Sequence, residues 1–171
     1  WLSTTGTAAI VEFPGVLYRG GAEAKIRKYL IDNNYVDAVI QLPSDLFFGT
    51  TIARCILVLK KSKKDNRVIF IDGSNEFVRG GNKNKLSEEN RKRILNAYVA
   101  RTDEEYFAKV VDSKTIAEND YNISVSSYVE QKDTREVVDI AELNKEIEKI
   151  VARQQELRVA IDEIVKDIEG K

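Results

Sequence analysis

Apolar residues fall into short blocks along the first part of the chain, each stopped by a turn former. Residues 7–13 (TAAIVEF) form a first run that ends where Pro14 removes a ladder donor and Gly15 frees the backbone, which predicts a strand and then a turn. Gly20 and Gly21 open a predicted helix over 22–33. Its inward face is expected to carry Ile26, Tyr29 and Leu30, with Glu23, Lys25, Arg27 and Lys28 toward water. A second run, 36–42, stops at Pro43. The third, 52–59 (IARCILVL), is almost wholly apolar, as in a strand buried on both faces inside an α/β sheet. A basic turn over 60–67 leads into a fourth run, 68–71. Strands alternating with a helix predict an α/β layer architecture. The link between the second and third runs is too short for a crossover helix, so those two strands are expected to be antiparallel.

Beyond this point the pattern thins. Residues 72–84 read as a glycine- and asparagine-rich loop, and 87–101 as a helix opened by Ser87 and Asn90, with Ile94, Leu95, Tyr98 and Val99 as its apolar stripe. A short strand over 107–111, a short helix over 113–119 and a turn at Asp120, Tyr121 and Asn122 follow. The last segment has the strongest periodicity. Asp139 is a suitable N-cap with Glu142 three residues on, and Val138 and Leu143 occupy staple positions. From there Ile140, Leu143, Ile147, Ile150, Gln154, Leu157, Ile161, Ile164 and Ile168 alternate in threes and fours until Gly170 supplies a stop. Such a coiled-coil seam is about 45 Å long at about 1.5 Å per residue. The 87–101 helix is about half that length, so the seam's partner is expected elsewhere, with Gln154 fixing register. A helix lying across its own domain is the alternative.

Composition narrows the chemistry. The 171 residues, 43% hydrophobic, suffice for one sizeable core with an extension. The lone Cys55 sits inside an apolar run and reads as a core residue, and the sequence has no histidine, which excludes zinc sites and Ser-His-Asp or Cys-His catalysis within this chain. No apolar run reaches membrane-span length and no signal-peptide pattern is present, so a cytoplasmic protein without membrane association is expected. Charge is nearly balanced, 27 basic against 28 acidic, but unevenly placed: residues 1–101 carry a net +7 and 102–171 a net −8. Basic residues cluster at Lys60, Lys61, Lys63, Lys64 and Arg67, and again at Arg79, Lys83, Lys85, Arg91, Lys92 and Arg93. Either group suits nucleic-acid phosphates, or equally a solvated turn and helix face.

Four segments, GVLYRGGAEAKIRKYL, VDAVIQLPSDLFFGTTIARCILVLKK, RVIFIDGS and IAENDYNISVSSYV, resemble in order and spacing the C-terminal half of the modification (M) subunit of type I restriction-modification systems. These are N6-adenine DNA methyltransferases. The resemblance implies the C-terminal portion of a Rossmann-like, S-adenosylmethionine-dependent sheet over 1–128, followed by a helical docking extension over 129–171. It implies bacterial or archaeal origin, and as partners a specificity subunit, a restriction subunit, a second modification subunit and double-stranded DNA. The family's glycine-rich cofactor loop and Asn-Pro-Pro-Phe loop have no match: no Gly-x-Gly occurs, and Pro14 and Pro43 stand apart. No catalytic, cofactor-binding or metal residue is therefore expected in this chain. Its start at Trp1 and its lack of methionine suggest a piece of a longer subunit, unable alone to bind the methyl donor or catalyse transfer.

Phe47 and Phe48 fall where the family's target-base aromatic motif would lie. A base taken out of its stack is commonly held between aromatic faces, although both rings also suit a core; one stacked and one buried is the expectation. Arg19, Lys83, Lys85 and Arg91 are the candidate DNA contacts. The seam residues are the candidate docking surface. The competing class is a non-catalytic interaction module whose function is the long helix.

Overall fold

A computed structural model of the protein describes residues 2–132 and 140–170. The chain divides into two compact units, Trp1–Lys132 and Asp133–Lys171. In the first, a five-stranded mixed sheet is built from β1 (Thr7–Glu12), β2 (Val36–Gln41), β3 (Cys55–Lys60), β4 (Arg67–Asp72) and β7 (Ala108–Asp112), in the order β1-β3-β2-β4-β7. β2 and β3 pair antiparallel, as do β1 and β3, while β2 and β4 run parallel and β7 closes the far edge antiparallel to β4. Strands β1, β2 and β4 therefore share one direction and end at the same edge of the sheet.

The period-two alternation of the strands sends side chains to two cores. Along β4, Val68 and Phe70 join Leu17, Ile31, Val39, Leu57, Ile116 and Ile123 on one face, where helices α1 (Ala22–Asp32) and α3 (Ser113–Glu118) lie. Ile69 and Ile71 join Ala38, Ile40, Val58, Ile94 and Phe107 on the other, under α2 (Glu88–Ala100). Burying β4 on both faces accounts for its unbroken apolar run. Helix α2 starts at a capping box: the Asn90 N–H donates to Ser87 Oγ at 3.2 Å, and the Ser87 N–H donates to Asn90 Oδ1 at 3.0 Å.

Four expectations are corrected. Arg27 does not face water; it is 4% exposed, while Ile26 and Tyr29, assigned to the core, are 58% and 59% exposed. The inward side of α1 meets turn carbonyls rather than only apolar atoms, and Arg27 bonds the carbonyls of Val16 and Tyr121, both at 2.9 Å. On α2, Ile94 is buried but Leu95 and Val99 point to solvent, because the sheet covers less than the full width of the apolar stripe. Residues 52–54 precede β3, and Ile52 is exposed on a loop. The stretch 72–84, read as a glycine- and asparagine-rich loop, contains strand β5 (Val78–Gly80) and most of β6 (Lys83–Lys85), a two-stranded hairpin turned at Gly81 with φ 66°.

The described residues of the second unit form one helix, α4 (Ile140–Glu169), 30 residues long. The expected cap and staple at Asp139 and Val138 lie outside the described residues, as do the side chains of Ile140 and Glu142. No helix of the described residues is long and apolar enough to cross a membrane.

Candidate nucleic-acid interface

Open α/β sheets bind ligands beyond the carboxyl ends of their parallel strands. Here that edge carries the loop joining β2 to β3, with Phe47 and Phe48 near its middle. The loop's base is closed by backbone bonds, Leu42 N–H to the Arg54 carbonyl at 2.8 Å and Asp45 N–H to the Thr51 carbonyl at 3.3 Å. The Gln41 side-chain amide also donates to the Arg54 carbonyl, at 3.1 Å. Two residues take left-handed backbone, Asp45 at φ 54° and Gly49 at φ 76°. The adjacent phenylalanines consequently part company. Phe47 packs with Leu46 against the core under α2, whereas the Phe48 ring is fully exposed, at 101%.

The hairpin β5–β6 abuts this loop. Asn84, 4% exposed, donates from its backbone to the Asp45 carbonyl at 3.1 Å and from Nδ2 to the Ser44 carbonyl at 2.9 Å. Its Oδ1 accepts from Arg79 Nη1 at 3.1 Å. Lys83 Nζ donates to the Thr50 carbonyl at 3.1 Å and stands 3.7 Å from the Asp45 carboxylate, which Arg79 also approaches at 4.0 Å. Nothing in the sequence flags Asn84: a polar residue between two lysines gives no periodic signal of burial.

The basic residues therefore divide. Arg79 and Lys83 face Asp45; Lys92 pairs with Glu88 at 2.7 Å; Arg93 bridges Glu76 at 2.7 Å and Glu104 at 2.9 Å while lying over the Phe107 ring. Among the described residues no ion pair engages Arg19, Lys85 or Arg91; Arg91 donates only to the carbonyl of Ser87, at 3.3 Å. Arg19 lies just past the carboxyl end of β1, its guanidinium folded over Gly15. Arg54 stacks on the Phe13 ring at 3.4 Å, and its Nη1 is buried without a hydrogen-bond partner among the described residues.

A methyl donor such as S-adenosylmethionine asks for a backbone cradle and a carboxylate free to take ribose hydroxyls. Beyond β2 and at the end of β4, the carboxylates at this edge are already engaged. Asp72 caps the Ser74 N–H at 2.9 Å, Glu76 is held by Asn90 and Arg93, and Asp45 by the hairpin cations. Gly73, which follows β4 at this edge, is consumed in packing, since a Cβ there would lie 2.8 Å from the Gln41 carbonyl. Among the described residues no three His, Cys, Asp or Glu side chains are placed to hold a metal ion. The Cys55 thiol is buried, and burial together with the nearby Glu12 pushes it up to about 11, which leaves it protonated and inert.

At the opposite edge of the sheet, Asp37 is buried and accepts from Tyr98 Oη at 2.6 Å and Arg101 Nη1 at 3.0 Å. Burial pushes Tyr98 up to about 12, with the Asp37 bond adding to it. Lys63 donates to the Val36 carbonyl, and burial pushes its ammonium down to about 8 against the pull of Asp37. Lys63 of the first basic cluster is thus half-buried in a structural knot.

On α4, the expected docking residues Leu143, Ile147, Ile150, Gln154, Leu157, Ile161, Ile164 and Ile168 are all exposed. Val151, Val159 and Val165 are exposed as well, so the apolar surface is wider than a single seam.

The profile of the N-6 DNA methylase family matches residues 1–137. The methylase subunit of the type I restriction enzyme MpnII of Mycoplasma pneumoniae is 50% identical over 168 residues, covering 98% of this chain and 31% of that protein. The MjaVIII methylase subunit of Methanocaldococcus jannaschii is 36% identical over 173 residues, covering 98% of this chain and 30% of its own length. The chain thus spans about a third of the length of the curated relatives it matches. Among solved structures, the type I restriction-modification methyltransferase subunit of Streptococcus thermophilus superposes with a TM-score of 0.71 at 43% identity, over 73% of this chain and 27% of that one. From the profile over 1–137 and the agreement of both sequence and fold with these relatives, the chain belongs to the N-6 DNA methylase family.

Proposed function

We propose that this chain is the target-strand-facing portion of the modification subunit of a type I restriction-modification enzyme, which transfers a methyl group from S-adenosylmethionine to adenine N6 in double-stranded DNA. The observation that carries the reading is the exposed Phe48 ring on a braced loop at the carboxyl edge of the parallel strands, in a chain of this family. An extruded adenine presents a flat π-face, and a rigid exposed ring is a suitable platform for it. Phe48 is the stacking residue and Phe47 its anchor. Arg19, Lys85 and Arg91 meet the phosphate backbone as point contacts that position without reading sequence, whereas Lys83 serves the loop first. S-adenosylmethionine, when bound, supplies the methyl group, and its site belongs to the portion of such a subunit that this chain does not span. The 171-residue chain alone accordingly neither binds the donor nor transfers a methyl group.

Residues 1–128 form the C-terminal end of a Rossmann-like catalytic sheet and 129–171 the docking extension, whose exposed apolar stripe forms a coiled coil with the specificity subunit in the bacterial or archaeal cytoplasm. A second modification subunit and a restriction subunit complete the assembly. That stripe also favours the second reading, a docking module without chemistry.

The test is methyl transfer to adenine by a modification subunit that contains this segment, assembled with its specificity subunit. Phe48→Ala is expected to lower kcat by about 10- to 100-fold with folding intact, and Phe48→Trp to retain most of the rate. Transfer at the unaltered rate by Phe48→Ala overturns the assignment. Saturable donor binding by the isolated chain in calorimetry overturns the placement of the donor site.

A further inference from the structure

Apart from the phosphate contact given to Lys85, the hairpin β5–β6 has no part in the chemistry so far described, yet the buried Asn84 and the half-buried Lys83 are aimed at one place. Asn84 engages the backbone of Ser44 and Asp45 on one side of the aromatic pair, and Lys83 engages the backbone of Thr50 on the other. Between these holds lie only residues 46–49, with Leu46 and Phe47 half-buried against the core and Phe48 projecting into solvent. A packing site would be better filled by an apolar side chain. Burying an asparagine here is favourable only because its two kinds of polar atom are both used, the amide on the loop and Oδ1 by Arg79. The Lys83 ammonium, with Asp45 beside it, likewise gives up free rotation to hold a single loop carbonyl. Without these holds, Gly49 at φ 76° would let the tip of the loop swing.

We propose that Asn84 and Lys83 are positioning residues for Phe48: the hairpin clamps residues 44–50 from both sides and fixes where the exposed ring stands. The inference rests on the reading of Phe48 as the base platform. The hairpin then acts through Phe48 and makes no contact of its own with the base. A platform must be in place before the base arrives, because a ring that wanders by about 1 Å forfeits much of its rate advantage.

The experiment has two arms. In the 171-residue chain carrying Trp1→Phe and Phe48→Trp, the indole at position 48 is the sole tryptophan, and its fluorescence anisotropy reports the motion of the loop. Asn84→Ala and Lys83→Met, made separately, are each expected to add a nanosecond component to the anisotropy decay, while the thermal melt remains a single cooperative transition. An unchanged decay in both variants overturns the proposal. In the second arm, methyl transfer is measured for an assembled modification subunit. Asn84→Ala is expected to lower kcat about tenfold with KM for the donor unchanged, and to lower it no further in a Phe48→Ala background. Equal losses in both backgrounds overturn the positioning role. If Phe48→Ala alone leaves transfer unchanged, the base-platform reading fails, and the anisotropy arm still decides whether the hairpin holds the loop.

Discussion

Arg27 Nε donates to the carbonyl of Tyr121 at 2.9 Å across a separation of 94 residues, while Nη1 of the same guanidinium donates to the carbonyl of Val16. The bond ties helix α1 to the turn after α3, so two segments far apart in sequence, GVLYRGGAEAKIRKYL and IAENDYNISVSSYV, close on one side chain. Tyr121 takes left-handed backbone at φ 54° there, and Lys28 reinforces the junction by donating to Tyr121 Oη at 2.6 Å and lying over its ring.

Removing the guanidinium should therefore cost more than a surface arginine would. Arg27→Met keeps the aliphatic bulk but strands two carbonyls that water reaches poorly, and a loss of about 3 kcal/mol is expected. Arg27→Lys should recover only part, since one ammonium cannot span both acceptors with the geometry of a planar fork. Urea unfolding of the three proteins measures this; a loss below about 1 kcal/mol for Arg27→Met, the scale of an exposed contact, contradicts the linking role.

The strands were legible because both faces of the sheet are covered. The buried sequence of β4, Val68, Ile69, Phe70 and Ile71, leaves no other reading, and the short link between β2 and β3 dictates their antiparallel pairing. Arg27 was illegible for the opposite reason. Helical spacing tells which residues share a face but not whether that face meets apolar atoms or carbonyls, and α1 meets both. The hairpin was hidden because its strands, three residues each, bury a single asparagine and so carry no hydrophobic alternation. At the candidate site the sequence singled out the aromatic pair and the expectation of one buried and one presented ring, but not which is which; that depends on the left-handed turns at Asp45 and Gly49 and on the brace from Asn84.

That orientation has a direct thermodynamic signature. Phe47→Ala removes a ring packed on the core and is expected to cost about 2 kcal/mol, less than a fully buried phenylalanine because the site is half-exposed. Phe48→Ala removes a ring that touches little and should change stability by no more than about 0.5 kcal/mol. Thermal melts of the two variants distinguish them, and similar losses for both would place Phe48 in the core.

Lys63 provides a pH dependence with a definite sign. Its ammonium is held down to about 8 by burial, below its ordinary value of 10.5, so the folded state releases this proton before the unfolded chain does. Lys63 thus penalises folding below about pH 8, and the penalty is relieved as the pH climbs from about 8 to 10.5. Asp37, Asp65 and Arg101 surround it, and Tyr98 and Cys55 titrate with the opposite sign at higher pH. The clean observable is consequently a difference. The melting temperature of Lys63→Met relative to the parent should be highest near pH 7.5 and should fall by pH 10; a difference independent of pH contradicts the depressed ammonium.

The last prediction concerns α4, which presents Ile147, Ile150, Leu157, Ile161 and Ile164 along one long stripe to solvent, with Val151, Val159 and Val165 beside it. An apolar strip running most of the length of a 30-residue helix exceeds what a soluble monomer ordinarily leaves uncovered. The spacing of threes and fours matches a facing helix of similar length, and Gln154 within it would set the register of the pair at some cost in stability. Association with a second chain is therefore expected, with the specificity subunit in an assembled enzyme and with another copy of itself when that subunit is absent. Ile150→Asp and Leu157→Asp together place two unpaired carboxylates in the seam, each costly to desolvate. Sedimentation and co-purification should show association lost in this double variant while the melt of the α/β unit is unchanged. A double variant that associates like the parent, or a parent chain that remains monomeric and captures no specificity subunit, would remove the docking role from α4.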